Sequence, residues 1–310
     1  MPSPSPAQQR PGTTSRATRP ACRTFEAIGT HWLVDTDRQL STMEWSEIDG
    51  RIQEFDRTYS RFRMDSLVTK MAAGAGVYEF PEDSLTLMHF YRRLHDITGG
   101  AVTPLIGAAL EDLGYDAGYR LTPAPVVRST PAWDEVMIWR GNTVQTAAPL
   151  VLDVGAAGKG YLVDIIAGLL VGFGVHSFVI DASGDLLHRG PDFLRVGLEH
   201  PADISKVIGV VPVANSALAA SAANRRSWGS AGRVLHHIVD PRTGEPAQQI
   251  VASWVTADSA MVADGLATVM FFADVTAIEQ LSTEFEASWL RVTGSGSAQW
   301  SENFQGELFR

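Results

Sequence analysis

The stretch Leu150-Val151-Leu152-Asp153-Val154-Gly155-Ala156-Ala157-Gly158-Lys159-Gly160-Tyr161-Leu162-Val163-Asp164 decides how the chain is read. Leu150 to Val154 is apolar around one Asp and reads as a buried strand. Gly155 to Gly160 reads as a tight turn and Tyr161 to Leu170 as a helix. Strand, glycine-rich turn and helix in that order aim backbone N–H groups and a helix N-terminus at an anion, and Lys159 adds a full charge. Two familiar phosphate-binding patterns do not fit. A P-loop needs Ser or Thr after its lysine, where Gly160 stands; the dinucleotide fingerprint needs G-x-G-x-x-G, whereas the glycines here fall at 155, 158 and 160. By itself the segment leaves a phosphate or metal site and plain tight packing both open.

Working outward, Ser177 to Asp181 reads as the next strand, followed by a turn at Ser183-Gly184-Asp185. Short strands are expected near 194–198, 207–213, 234–239, 250–256 and 287–293, with one helix from about Asp258 to Phe272. Upstream, Phe25 to Thr36 reads as one strand kinked at Gly29. Trp45, Ile48, Ile52, Phe55 and Tyr59 recur at spacings of 3 and 4, which predicts an amphipathic helix. Asp83 is the expected N-cap of a second helix, with Leu87, Met88, Tyr91 and Leu94 inward and an end near Thr98-Gly99-Gly100. Residues 114–149 read as an irregular connection with one short strand around Val136 to Trp139. Many strands with few long helices predict an α+β architecture rather than a regular βαβ winding.

Composition bounds the function. Of 310 residues, 45% are hydrophobic and 19% charged, too apolar for a disordered chain and long enough for a large core. A net charge of −10 argues against a general nucleic-acid binder. No window resembles a membrane-spanning helix, so no membrane insertion is expected. Cys22 is the single cysteine, which excludes an intramolecular disulfide and a Cys-rich zinc site. Residues 1–23 lack acidic residues and any apolar run, and are expected to be a disordered tail before one folded domain over 24–310. With neither a signal sequence nor a lipidation pattern visible there, the expected location is cytoplasmic.

Two more segments carry chemistry. His236-His237-Ile238-Val239-Asp240-Pro241-Arg242-Thr243-Gly244 ends in turn residues. On a strand its two histidines point to opposite faces, so they would not share a metal, and one of them could work beside Asp240 as a base. In Asp258-Ser259-Ala260-Met261-Val262-Ala263-Asp264-Gly265-Leu266-Ala267-Thr268, Asp264 and Thr268 stand one helical turn apart on one face. A carboxylate and a hydroxyl there are two hard oxygen donors suited to Mg2+; the alternative is an Asp paired with an Arg.

Together these segments resemble the ApbE family, the FAD:protein FMN transferases. The family's pattern runs approximately D-x-G-G-x-A-K-G-x-x-x-D, a strand ending in G-G-D, H-I-x-D-P-x-T-G and A-D-A-x-A-T. The counterparts are Asp153 to Asp164, Ser183-Gly184-Asp185, His237 to Gly244, and Ala263 to Thr268. The likeness extends upstream to Ile28-Gly29-Thr30, Tyr59 to Ser66 and Thr98 to Ala101, and so covers nearly everything after residue 24.

The resemblance implies an ApbE-like (T-fold-like) α+β fold of mixed sheets with flanking helices. FAD and a metal would lie between the N-terminal part and the glycine-rich turn. It implies Mg2+ held by Asp264, Thr268 and the backbone carbonyl of Gly158, where the family usually has Ala. FAD contacts are implied for Phe62, Asp65, Ser66, Lys159, Ser183, Gly184, Asp185, Ser221, His237 and Thr243. The implied reaction moves FMN from FAD to a Thr or Ser hydroxyl of an acceptor protein with a D-x-x-S/T-G-A-T-type site and releases AMP. His237 is the candidate base, with Asp240 orienting it or acting in its place. The sequence departs from the pattern at Ala220 to Arg226, where the family has T-S-G-x-Y, at Leu67 and Ala72, where it has Glu and Asn, and at Ala156. An FAD-binding protein without transfer and an FAD pyrophosphatase giving FMN and AMP are the two other readings.

Overall fold

A computed structural model describes residues 21–230 and 233–309. It opens with β1 (Ala21–Ala27), β2 (Thr30–Thr36), α1 (Thr42–Tyr59), α2 (Leu67–Ala73), β3 (Gly76–Glu79) and α3 (Ser84–Thr98). Next come α4 (Gly107–Asp112), α5 (Trp133–Val136), β4 (Met137–Arg140), β5 (Thr143–Thr146) and α6 (Gly158–Gly172). A run of strands follows: β6 (Phe178–Asp181), β7 (Asp185–Arg189), β8 (Leu194–His200), β9 (Asp203–Val213), β10 (Ala217–Ala222), β11 (Ser227–Ser230) and β12 (Arg233–His236). The chain finishes with β13 (Val239–Asp240), β14 (Glu245–Pro246), β15 (Ile250–Ala257), α7 (Ala260–Val269), α8 (Val275–Glu284), β16 (Ser288–Thr293), β17 (Ala298–Trp300) and β18 (Glu307–Leu308).

The central sheet has the order β1-β2-β6-β7-β10-β15-β16-β17, and every ladder among the described residues is antiparallel. This is the expected α+β class. On one face lie α6 and α7, whose Leu162, Ile166, Leu170, Ala263, Leu266 and Ala267 are wholly buried. Each of the larger side chains contributes about 1.5–3 kcal/mol of transfer free energy. The small sheet β18-β9-β8 covers the other face, packing Leu198, Val211 and Val213 on Leu218, Trp254 and Leu290. No helix among the described residues is long and apolar enough to cross a membrane.

Two devices set the spacing of α6 and α7. A Cβ at Gly160 would collide with the Ala260 carbonyl oxygen, so glycine lets the two backbones touch. Asp164, one turn along α6, accepts hydrogen bonds from Ala260 N (2.8 Å), Met261 N (2.9 Å) and Ser259 Oγ (2.6 Å). It thereby closes the amides that the α7 N-terminus leaves without partners.

Several expectations are corrected. Phe25 to Thr36 is part of a hairpin, not one kinked strand. Ile28 (φ +44°) and Gly29 (φ +74°) both take positive φ, the two-residue turn that suits twisted strands, and Ala27 pairs with Thr30. Strand β1 begins at Ala21, three residues inside the expected tail, whose residues 1–20 lie outside the described part. Leu150 to Val154 joins no ladder. Its alternate side chains Leu150, Leu152 and Val154 are buried, but its amides find isolated carbonyls, Leu150 N on Met71 O (3.0 Å) and Asp153 N on Pro104 O (2.8 Å). The helix after it starts at Gly158, so Gly158-Lys159-Gly160 is its first turn rather than a loop. Asp83 precedes α3 without capping it through its side chain, because Arg51 takes the carboxylate.

Candidate active site at the two ends of the glycine-rich turn

Beneath the C-terminal end of the turn lies a buried charge cluster. Asp264, 5% exposed, projects from the middle of α7 and accepts Gly160 N–H through Oδ2 at 3.0 Å. Asp185, 1% exposed, opens β7; its Oδ2 meets the Lys159 ammonium and its Oδ1 has no hydrogen-bond partner. Burial, and then the Asp185 charge beside it, push the Asp264 carboxyl well above the usual carboxylate range, with Lys159 opposing. With one ammonium for two buried carboxyls, the cluster is balanced only while Asp264 keeps its proton, and a bound cation would take that proton's place. One turn along α7, Thr268 Oγ1 faces the Ala156 carbonyl at 3.5 Å.

This donor set fits a divalent cation of the Mg2+ type: hard oxygens, a carboxyl whose proton a cation can replace, and an orphaned carboxylate oxygen. Among the described residues no three His, Cys, Asp or Glu side chains cluster as metal ligands, so a carbonyl and a hydroxyl must complete the site. The carbonyl that Thr268 faces is that of Ala156. Gly158, whose carbonyl the family resemblance implies as a ligand, is the first residue of α6. The alternative partner for Asp264, an arginine, is not what is found.

At the other end of the turn, Asp153 is paired with Arg61 (Nε to Oδ2, 2.5 Å) and accepts Gly155 N–H at 2.7 Å. Burial raises the Asp153 carboxyl, but the Arg61 charge and hydrogen bond outweigh it and hold it low. Arg61 also donates to Tyr115 O at 2.6 Å, and its guanidinium lies 4.2 Å from the Phe62 ring centroid. Phe62 stacks on Tyr119 (5.4 Å), Tyr115 stacks on Trp228 (5.7 Å), and the Tyr115 hydroxyl accepts from Arg226 at 2.9 Å. An aromatic wall with guanidinium groups against it suits a planar, electron-poor ring bearing phosphates.

His237 stands at this wall, its ring 6.4 Å from Tyr115. Burial, and next the Arg226 charge, hold its pKa down at about 4, so the imidazole is neutral at pH 7 and able to take a proton. Its Nδ1 and the Arg61 Nη2 are both buried without a partner in this cluster. His236 is instead fixed by Ala247 O, 2.9 Å from Nε2.

Other expected residues fall elsewhere or serve local structure. Asp240 does not reach His237; Arg242 binds its carboxylate through backbone N and side chain at 2.7–3.3 Å. Ser66 is fully buried and caps α2 by accepting Thr69 N–H, and Asp65 is paired with Arg63 at 2.8 Å. Thr243 Oγ1 accepts Glu245 N–H, and Ser221 lies on β10 opposite Ser253. Ser183 and Gly184 form the β6–β7 hairpin turn, at φ +56° and +115°, directly before Asp185, and Ala220 N donates to Gly184 O at 2.9 Å. The departed segment Ala220 to Arg226 therefore borders the site without Thr or Gly.

Tyr115 and Trp228 carry no site signal in the sequence, and Tyr91 and Arg226 enter there only as a core position and the end of the departed segment. Tyr91 sits on the inward stripe of α3 like any core residue, yet its hydroxyl oxygen accepts Ala157 N–H at 3.1 Å and so supports the turn.

A family model described as the ApbE family matches residues 28–289. The FAD:protein FMN transferase of Vibrio cholerae is 28% identical over 237 residues, covering 72% of this chain and 71% of its own length. That of Treponema pallidum is 29% identical over 252 residues, covering 73% and 70%. Among solved structures, the ApbE protein from Thermotoga maritima superposes with a TM-score of 0.81 at 22% identity, covering 92% of this chain and 99% of that one. The flavin transferase ApbE from Vibrio cholerae superposes at 0.74 and 21% identity over 92% and 98%. At those identities the structural likeness is one of fold.

Proposed function

The chain belongs to the ApbE family, and on that premise we propose that it is an FAD:protein FMN transferase. In this reading FAD lies along the glycine-rich turn, its isoalloxazine toward Phe62, Tyr115 and Trp228 and its pyrophosphate over Lys159 and Gly160. The acceptor is a Thr or Ser hydroxyl of another protein, in a D-x-x-S/T-G-A-T-type site. A new O–P bond forms to the FMN phosphorus, the pyrophosphate P–O bond breaks, and AMP leaves.

The observation that carries the reading is the cluster of Asp264, Asp185 and Lys159 beneath the turn, with one ammonium for two carboxyls. Asp264, Thr268 and the backbone carbonyl of Gly158 would hold Mg2+ there, with the Ala156 carbonyl beside Thr268. When bound, the ion supplies positive charge to the pyrophosphate oxygens of FAD and the departing phosphate. The remaining work belongs to the chain. Lys159 holds the turn to Asp185 and faces the phosphates. His237, neutral and half-buried, accepts the acceptor's proton as the hydroxyl attacks. Ser183 and Gly184 shape the edge beside Asp185.

The test is mass spectrometry of an acceptor domain after incubation with this chain, FAD and Mg2+. Addition of one FMN, with AMP released in equal amount and both stopped by a chelator, is expected. AMP appearing at full rate without acceptor would reassign the chain as an FAD pyrophosphatase. FAD bound without any AMP would leave a flavin-binding protein.

A further inference from the structure

At the end of the central sheet far from β1, an open groove of about 770 Å³ runs between α8 and β17. It shares no residue with the glycine-rich turn or the aromatic wall. α8 lines it with Val275, Glu279, Ser282 and Thr283, residues spaced to share one helix face. β16 contributes Trp289, and β17 contributes Ala298 and Trp300. The groove has a free sheet edge. Ser301 N donates to Trp289 O (3.0 Å) and Thr293 N to Ser297 O (2.9 Å), so the hydrogen-bonded pairs of the β16–β17 ladder fall on the odd-numbered residues. Ala298 and Trp300 therefore turn their N–H and C=O groups away from β16, and β17 is the last strand of the sheet. Neither residue's main chain finds another partner among the described residues. Such an edge takes an added strand through main-chain hydrogen bonds.

Two residues lining the groove carry buried polar atoms without partners. Trp289, 4% exposed, has its indole Nε1 unpaired, and Ser282, 7% exposed, its hydroxyl. An indole N–H can only donate, so it calls for an acceptor oxygen such as a peptide carbonyl. The charge lining the groove is of one sign: Glu279 and Glu302 are both exposed, and no Lys, Arg or His lines it. Neither glutamate has an ion-pair partner among the described residues. The Trp300 indole, 53% exposed, adds a ring face on which a cation can rest. We propose that this groove docks an extended segment of a partner protein that carries a lysine or arginine. The segment adds as one more strand beside β17, its main chain bonded to Ala298 and Trp300. One of its carbonyls accepts the Trp289 N–H, and its basic side chain reaches Glu279 and Glu302. The site is independent of whether the chain transfers FMN.

The experiment is an NMR titration of the full chain with two pools of capped pentapeptides, one with lysine fixed at the centre and one with glutamate, the other positions mixed. Expected with the lysine pool are saturable shifts at the Ala298 and Trp300 amides and at the Trp289 indole N–H, the last assigned from Trp289→Phe. The glutamate pool should bind about fivefold more weakly, and the Glu279→Gln/Glu302→Gln double variant should bring the two pools together. Ala298→Pro removes an outward N–H that the β16 ladder does not use, so the fold should stand while binding falls. No shift at these signals, equal binding of both pools to the wild type, or the same shifts from lysine amide alone overturns the proposal. A dimer that Ala298→Pro dissolves, with the peptides unbound, gives the edge to a second copy and overturns it as well. Should Ala298→Pro not fold, the glutamine double variant decides: an unchanged preference for the lysine pool overturns the proposal. AMP release from FAD, expected unchanged in that double variant, keeps this result apart from the transferase reading.

Discussion

Asp164 and Asp264 lie on facing helices at the α6–α7 contact, the first half-buried and the second buried, and their surroundings are opposite. Asp164 receives three donors from the start of α7. Asp264 receives one, from Gly160, and lies beside a second carboxylate. The first has the partners a buried charge needs; the second has what a cation needs. Asp164 thus serves as a fastener and Asp264 is the candidate ligand, and the two differ both in number of donors and in depth of burial.

The largest expected effect breaks the comparison on its functional side. Asp264→Asn keeps the shape and removes the charge, and FMN transfer should fall about a thousandfold or more, measured as AMP release at saturating FAD and Mg2+. Its unfolding free energy in a chelator should not fall, since an amide takes the place of a buried carboxyl that holds its proton when no ion is bound. A fall of several kcal/mol would make Asp264 a fastener as well.

Asp164→Ala attacks the other side. It strips the cap from α7 and leaves buried amides unpaired, costing about 2–4 kcal/mol in denaturant unfolding. At temperatures where the variant is folded, its apparent affinity for Mg2+ should change far less than that of Asp264→Asn. Equal losses of affinity would erase the distinction.

A third buried group calibrates the pair. The folded pKa of His237 lies at about 4, below the ordinary 6.5. Between those values the unfolded chain binds the proton and the folded chain does not, so stability falls as pH drops from 6.5 toward 4 and levels off below. The contribution is about 3 kcal/mol. It should vanish in His237→Gln and so appear in the difference between wild type and that variant when unfolding is measured across that range.

The smallest effect sharpens the ligand side. Thr268→Val removes a neutral oxygen and should weaken apparent Mg2+ affinity about tenfold, with thermal stability unchanged. If AMP release needs no more Mg2+ than wild type, the hydroxyl facing Ala156 is no ligand.

The legibility of the chain followed the physics of each element. α1 is legible by its period, and α3 by its period and its Gly99-Gly100 end, while the Ser41–Glu44 capping box before α1 comes from the structure. β10 is not legible, because Ala217 to Ala222 is mostly alanine, and its place in the sheet comes from pairing with β7 and β15 on either side. Leu150 to Val154 had a strand's side-chain pattern without a partner to pair with. At the site, Asp264, Thr268 and Lys159 were readable because one helix and one turn carry them. The wall of Phe62, Tyr115 and Trp228 with Arg61 and Arg226 draws on segments more than a hundred residues apart, and only the folded chain assembles it.

The contact of Gly160 with Ala260 is main chain against main chain. The width of the gap into which Asp264 projects is therefore set at this point by backbone, with the Asp164 carboxylate one turn along as the side chain that also fixes it. Redesign toward a larger ion by exchanging ligands alone would meet an aperture of unchanged size. Such a change has to begin by prying the two helices apart at residue 160.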